Sequence, residues 1–222
     1  MSMIAAIIFA MDGVLLDSAS LHLRATRFAL GERAQSYTER DNQSFSGATD
    51  AEMFRVLRIL FDLDAPTDEL VLRKREHLIS LIRTEGRRLP GVPDIPLRFR
   101  EAGLRLGLVS PSARPVIDAI LEAVGLSGAF ETLVAGDEVA RGKPAPDGYL
   151  MAARRLAVDP RRCFVVEDTR NGVLAAKAAG MTVAAVPGST TAHEDFSPAD
   201  LVLPSLEALP KVLERNGNGR ES

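Results

Sequence analysis

A chain of 222 residues is long enough for one hydrophobic core, or for one core with a small inserted domain. Its composition, 46% hydrophobic and 26% charged, is typical of a soluble globular protein. The net charge is −3 and the Lys and Arg residues are scattered, which argues against nucleic-acid or anionic-membrane partners. Cys163 is the only cysteine, which excludes an intrachain disulfide, and a cytoplasmic location is expected.

Short apolar runs alternate with helical segments along most of the chain. The first run, residues 4–9, lacks the features of a signal peptide and is interpreted as a strand buried on both faces. Further strands are predicted at 104–109, 132–135, 163–166 and 182–186, with a short sixth at 201–203, and helices between them. No apolar run is long enough to span a bilayer. The alternation predicts a doubly wound parallel α/β sheet.

One stretch, residues 18–89, breaks this alternation because it carries helical patterns alone. Residues 70–82 form one predicted apolar helix face, and a second comprises Met53, Val56, Leu57 and Leu60. The Pro-Gly-Val-Pro segment at 90–93 punctuates the return to the sheet. We therefore expect an α-helical cap domain at 18–89, inserted into a core domain formed by 1–17 and 90–222.

Polar side chains follow the strands, at the sheet edge where ligands bind in folds of this kind. Asp12 follows the first strand, Ser110 the second, and Lys143 lies beyond the third, while Glu167 and Asp168 follow the fourth. This collection suits a divalent cation with oxygen ligands together with a phosphoryl group. Each residue alone has a simpler interpretation as a turn, helix cap or surface charge, but four such matches in order are improbable by chance.

These segments are similar in order and spacing to the four motifs of the haloacid dehalogenase (HAD) superfamily: residues 9–14, Ser110, Gly142-Lys143-Pro144 and Glu167-Asp168. The chain most resembles the β-phosphoglucomutase and phosphoglycolate phosphatase branch. The resemblance covers nearly the whole chain. It implies a Rossmann-like core with a small α-helical cap, Mg²⁺ as cofactor, and a small phosphorylated metabolite as partner. The implied metal ligands are the backbone carbonyl of Asp12, the carboxylate of Asp168, and Glu167 directly or through water.

The resemblance also assigns catalytic roles. The family's nucleophile is the first aspartate of an Asp-x-Asp pair, and that position holds Ala10. Asp12 matches the general acid/base. Ser110 matches the hydroxyl that hydrogen-bonds the transferring phosphoryl group, and Lys143 matches the cation that neutralises its charge. A second departure is Pro111, which has no backbone N–H to offer to phosphate.

Substrate contacts are predicted for further residues near these motifs. His22 lies where related sequences place a histidine that faces the cap, and a structural role is the open alternative. Ser112 and Arg114 lie close to Ser110, with helix capping and surface solvation as their alternatives. Gly47 belongs to a segment similar to the cap loop that selects substrate.

Other charged residues bear on the choice of activity. Asp50 lies where the phosphoglucomutase pattern has an arginine for a second phosphate, which argues against a bisphosphate mutase. Three further residues are interpreted as surface residues: Lys74, His77 and His193. A dehalogenase is disfavoured because Asp12 and Lys143 both suit phosphate chemistry. A monomer or weak homodimer is expected.

Ala10 should prevent the covalent step of the family's reaction in this chain, because an aspartyl phosphate cannot form on a methyl group. The activity for which the other motifs are suited and the activity of this chain are therefore expected to differ. The expected function is Mg²⁺-dependent phosphatase chemistry on a sugar phosphate or a phosphoglycolate-like ester, with this chain impaired. The alternatives are a sugar phosphomutase and a non-catalytic phospho-ligand-binding protein. Two explanations of Ala10 stay open: an engineered nucleophile mutant or a natural non-cleaving descendant. Retention of the other motif residues favours the first.

Overall fold

A six-stranded, fully parallel sheet forms the centre of the protein in a computed structural model, which describes residues 4–45 and 47–217. The strand order is β3-β2-β1-β4-β5-β6. The strands are β1 (Ala6–Phe9), β2 (Arg105–Val109), β3 (Thr132–Val134), β4 (Cys163–Glu167), β5 (Thr182–Ala185) and β6 (Leu201–Val202). All six predicted strands are confirmed, and so is the doubly wound α/β class.

Helices cover both faces of this sheet. Ile7 and Phe9 of β1 pack into one hydrophobic cluster, and Ala6 and Ile8 pack into another on the opposite face. This explains the uninterrupted apolar sequence of β1, since a strand covered on both faces has no polar side. The covering helices are α5 (Asp94–Glu101), α6 (Arg114–Ala123), α7 (Asp147–Arg155), α8 (Arg170–Ala178) and α9 (Leu209–Gly217).

Among the described residues, four α-helices lie between β1 and α5, in the stretch 18–89 where the sequence predicts helices. They are α1 (Ala19–Leu30), α2 (Glu39–Ser44), α3 (Asp50–Leu60) and α4 (Thr67–Glu85). Thr38 and Thr49 begin α2 and α3 with capping boxes, in which each threonine exchanges hydrogen bonds with an acid three residues later. Residues of α1, α3 and α4 form a hydrophobic cluster around Tyr37 and Phe54, separate from the two clusters that cover the sheet.

Two sequence predictions for these helices are wrong in part. Met53 and Leu57 are buried as expected, but Val56 is 44% and Leu60 69% exposed, and Phe54 takes their place in the cluster. Lys74 is buried rather than on the surface, because it shares the inward face of α4 with Leu70 and Leu78.

The predictions for Cys163 and His193 agree with the structure, whereas His77 is less exposed than the predicted surface residue. Cys163 is buried in β4, and burial raises the pKa of its thiol to about 11, with a contribution from the charge of Asp159. His193 is exposed, whereas His77 is half-buried and stacks on Phe28 with ring centroids 4.1 Å apart. Within the described part of the chain, none of the helices is long and apolar enough to cross a bilayer.

Candidate functional site

A cavity of about 240 Å³ opens at the carboxyl edge of the sheet, below the helices inserted after β1. Its sheet side is formed by residues that follow the strands, including Ala10, Asp12, Gly13, Ser112, Lys143 and Asp168. Its other side is formed by residues of the inserted helices and their loops, including His22, Asn42, Gln43, Gly47, Asp50 and Lys74. Most of the predicted site residues therefore meet in one cavity.

Ala10 lies at the end of β1 on the floor of this cavity. Its backbone N–H donates to the carbonyl of Val166 at 2.8 Å, which continues the ladder between β1 and β4. The residue is 3% exposed and its methyl group lines the cavity. Position 10 is therefore part of the cavity lining, together with Asp12 and Asp168.

Asp12 is held by two neighbours from the beginning of the inserted segment. Its Oδ1 accepts a hydrogen bond from Ser18 Oγ at 2.6 Å and lies 3.0 Å from His22 Nε2. Burial alone would raise the pKa of Asp12, but the electrostatic attraction to His22 and the hydrogen bonds with His22 and Ser18 outweigh it, so the pKa lies below its ordinary value. Asp12 is therefore an oriented, ionised carboxylate at neutral pH.

Lys143 is anchored by a carboxylate beneath it. Its ammonium contacts Oε1 of Glu167, which is fully buried and also accepts a hydrogen bond from Tyr149 Oη at 2.6 Å. Oε2 of Glu167 accepts from the backbone N–H groups of Asp168 and Thr169 and from Thr169 Oγ. Burial raises the pKa of Glu167, but the charge and hydrogen bond of Lys143 outweigh it and leave the pKa below its ordinary value. Glu167 thus holds Lys143 in place, and its predicted role as a metal ligand stays a prediction.

Asp168 lies against the backbone of Gly13. A Cβ on Gly13 would fall 1.9 Å from Oδ2 of Asp168, so only glycine allows this approach. Burial raises the pKa of Asp168 well above its ordinary value, and the negative charges of Glu167 and Asp12 raise it further. A buried carboxyl beside other carboxylates is stabilised by a cation, which makes Asp168 the best candidate metal ligand. Among the side chains that the structure describes, no three His, Cys, Asp or Glu residues form a metal-binding group.

Ser110 and Ser112 follow β2. Ser110 is 2% exposed, and its Oγ accepts a hydrogen bond from the backbone N–H of Ser112 at 3.1 Å. Ser110 lines a smaller cavity of about 20 Å³ that also borders Lys143, whereas Ser112 lines the main one. Ser110 therefore lies close to Lys143 but does not line the main cavity.

Two other predicted substrate residues lie in different surroundings. Gly47, with φ of +84°, lies over Lys143, since a Cβ there would be 3.6 Å from Lys143 Cβ. Arg114 is exposed, pairs with Asp118 at 3.0 Å, and is not among the described residues that line the main cavity. The structure brings Gly47 to the site and leaves Arg114 outside this cavity.

Several lining residues were not predicted: Asn42, Gln43, Lys74, Glu194 and the loop 188–191 after β5. The loop could have been found by the rule that located the other motifs, because it also follows the carboxyl end of a parallel strand. Lys74 could have been found from the helical spacing of four that separates it from Leu70 and Leu78. Asn42 and Gln43 carry no comparable signal.

Comparison with known proteins places this geometry in a family. The family model described as haloacid dehalogenase-like hydrolase matches residues 7–186. The protein CbbY of Rhodobacter capsulatus is 33% identical over 214 residues, covering 91% of this chain and 94% of that protein. The fructose-1-phosphate phosphatase YqaB of Escherichia coli is 33% identical over 180 residues, covering 80% of this chain and 93% of that protein.

A solved structure has the same fold. CbbY of Rhodobacter sphaeroides superposes with a TM-score of 0.82 and 31% identity, covering 91% of this chain and 95% of that one. That protein has been solved in complex with phosphate and, as a variant, with xylulose-1,5-bisphosphate.

Proposed function

Because this chain belongs to the haloacid dehalogenase-like hydrolase family, we propose that its site is built for hydrolysis of the phosphate ester of a small metabolite, such as a sugar phosphate. One observation carries the proposal: Asp12, Lys143 and Asp168 line the same cavity as Ala10, at the carboxyl edge of the sheet. Two relatives support a ligand of this class. A CbbY variant has been solved with xylulose-1,5-bisphosphate, and YqaB is named as a fructose-1-phosphate phosphatase.

Each residue around Ala10 has a part in the proposed reaction. Lys143, fixed by Glu167, balances the negative charge of the phosphoryl group, and Ser110 donates a hydrogen bond to it. Asp12, oriented by Ser18 and His22, would take up a proton when the anionic ester binds beside it, because a nearby negative charge raises the pKa of a carboxyl group. It would give that proton to the leaving oxygen and later take one from the attacking water. The inserted helices cover the cavity and limit its access to bulk water.

Magnesium fits the donor set in part. Asp168 and the backbone carbonyl of Asp12 supply the hard oxygen ligands that this cation prefers. The buried Asp168 carboxyl beside other negative charges is the group that a cation would stabilise. Bound there, magnesium would neutralise charge on the phosphoryl oxygens. The methyl group of Ala10 provides no second carboxylate beside that of Asp168, so we expect weak binding of the metal.

The same methyl group removes the covalent step. A carboxylate at position 10 would attack phosphorus while the bond to the ester oxygen breaks and that oxygen takes a proton from Asp12. Water would then cleave the acyl phosphate, releasing inorganic phosphate and restoring the carboxylate. With Ala10 the chain binds the ester without this pathway, and loss of such a nucleophile lowers turnover by about a million-fold in dissected cases.

The test compares this chain with its Ala10→Asp variant, using p-nitrophenyl phosphate and Mg²⁺. We expect hydrolysis by the variant and almost none by the chain as it stands. An Ala10→Asn variant is the matched control, because it has nearly the same shape without a nucleophilic carboxylate. If Ala10→Asp hydrolyses p-nitrophenyl phosphate no faster than Ala10→Asn, the proposal that this site is built for phosphate-ester hydrolysis is wrong.

A second candidate is favoured by Ala10 itself, namely a protein that binds a phosphorylated ligand without cleaving it. The same experiment separates the two. A rise in melting temperature with phosphate esters, but no turnover after Ala10→Asp, would support the binding protein.

A further inference from the structure

An ion pair forms part of the cavity wall on the side of the inserted helices. Lys74 of α4 contacts Oδ1 of Asp50, the first residue of α3. The side chain of Lys74 is 4% exposed and that of Asp50 is 18% exposed, and both residues line the cavity. The pair comes from the inserted helices, whereas the motifs that would hold the transferred phosphate come from the sheet edge. Because it is shielded from water, its charges are weakly screened by salt.

Apart from this pair, the described residues of this wall include one titratable side chain, His22, which contacts Asp12. The wall also includes Ser18, Ala19, Asn42, Gln43, Phe45, Gly47, Ala48, Met53 and Leu89. The described residues lining the cavity include Lys74 and Lys143 but no arginine, and each lysine is paired with a carboxylate. Lys143 belongs to the sheet side, where the transferred phosphate would bind. The wall formed by the inserted helices therefore offers amide groups and a neutralised pair, but no spare cation for a second anionic group.

We propose that Asp50, by neutralising Lys74, makes this protein select phosphate monoesters whose remote end is uncharged and bears hydroxyl groups. This inference rests on the proposed function and adds a residue that determines specificity. Hydroxyl groups both donate and accept, so they can satisfy the Asp50 carboxylate and the amides of Asn42 and Gln43. A second phosphate would lose its hydration beside the Asp50 carboxylate without gaining a cation, and like charges disfavour such binding.

The experiment compares two ligands that differ by one phosphate, fructose 1-phosphate and fructose 1,6-bisphosphate. Binding to the chain as it stands is measured by calorimetry with Mg²⁺, since Ala10 prevents turnover from depleting the ligand. We expect the monophosphate to bind at least about tenfold more tightly. In Asp50→Asn the ammonium of Lys74 is no longer neutralised, so this ratio should fall by about tenfold or invert.

Further variants isolate the pair. Asp64→Asn removes an exposed carboxylate from the loop between α3 and α4, outside the cavity lining, and should leave the ratio unchanged. If Asp50→Asn does not fold, Lys74→Met provides the reverse test, because it leaves Asp50 negative and should increase discrimination against the bisphosphate. A melting curve for each variant confirms folding.

Three results would overturn the proposal: equal or tighter binding of the bisphosphate by the parent, an unchanged ratio in folded Asp50→Asn, or binding of neither ester. None of these is the result that overturns the proposed function. That function depends on hydrolysis of p-nitrophenyl phosphate by Ala10→Asp, which presents no second anionic group to Asp50.

Discussion

The ammonium of Lys143 contacts Oε1 of Glu167, whose carboxylate lies at the end of β4 and is completely buried. Tyr149 donates to the same oxygen, and donors from Asp168 and Thr169 bind the other. A carboxylate with this many donors has a fixed orientation. The positive charge at the cavity floor is therefore positioned by the buried interior rather than by solvent.

Glu167→Ala should destabilise the fold strongly. It removes the partner of Lys143, whose side chain is only 10% exposed, and leaves backbone N–H groups of the next two residues without an acceptor. Breaking a buried pair in this way costs about 3–5 kcal/mol. Urea unfolding measures the change. Glu131→Ala is the matched control, because Glu131 pairs with Arg105 on the surface, and it should cost much less. Equal losses in the two variants would contradict a buried anchoring role for Glu167.

Tyr149→Phe tests one donor in this network. The Tyr149 hydroxyl is 2.6 Å from Oε1 of the ionised Glu167, and a hydrogen bond to a charged group contributes about 1.5–3 kcal/mol. Tyr37→Phe is the control, because the Tyr37 hydroxyl makes longer contacts, 3.2 Å to Asn42 Oδ1 and 3.8 Å to Met53 Sδ. Thermal and urea unfolding should show the larger loss for Tyr149→Phe. The reverse order would show that Glu167 does not depend on this hydroxyl.

Most of the strands and the motifs that follow them could be predicted from the sequence, for two reasons. Strands buried on both faces have continuous apolar sequences, and in a parallel sheet their carboxyl ends meet at one edge. These rules bring Asp12 and Asp168 into one cavity although they lie far apart in the chain. The anchoring of Lys143 by Glu167 was missed because adjacent acids after a strand do not reveal which one points inward.

The inserted helices were less predictable because their burial depends on how they pack. Lys74 lies among Arg73, Arg75 and Glu76, a composition typical of an exposed helix face, yet its position places it inward. Its burial is offset by Asp50 on another helix, a partner that local sequence does not identify. Val56 and Leu60 show the opposite error, because the small inserted unit buries only one face of α3.

Asp168→Asn should have opposite effects on stability without and with metal. The pKa of Asp168 in the fold lies well above its ordinary value of 3.8, so the fold favours the protonated carboxyl. The contribution of the protonated Asp168 carboxyl to folding stability is fully present below the pKa of the unfolded state. It is lost as pH rises through the pKa of the folded state. Without Mg²⁺ the variant should therefore gain stability relative to the parent as pH rises above 3.8.

Added Mg²⁺ should raise the melting temperature of the parent and leave that of Asp168→Asn unchanged, because only the parent keeps the buried carboxylate. Asp137→Asn is a suitable control, since Asp137 is exposed after β3 and outside the described cavity lining. It should retain the metal response of the parent. A metal response in Asp168→Asn equal to that of the parent would exclude Asp168 as a ligand.

Gly13→Ala tests the close approach between the first and fourth motifs, with Gly128→Ala as its control. The two glycines have nearly the same φ, +71° and +70°, so both substitutions carry similar backbone strain of about 1–2 kcal/mol. They differ in surroundings: the new Cβ would fall 1.9 Å from Asp168 Oδ2 at position 13 but meet nothing within 4 Å at position 128. We expect Gly13→Ala to cost a further ~1–3 kcal/mol in urea unfolding, because Asp168 must move. It should also lose the Mg²⁺-dependent rise in melting temperature, which Gly128→Ala should keep. Equal stability losses with the metal response intact would show that the position of Asp168 does not depend on the missing side chain at Gly13.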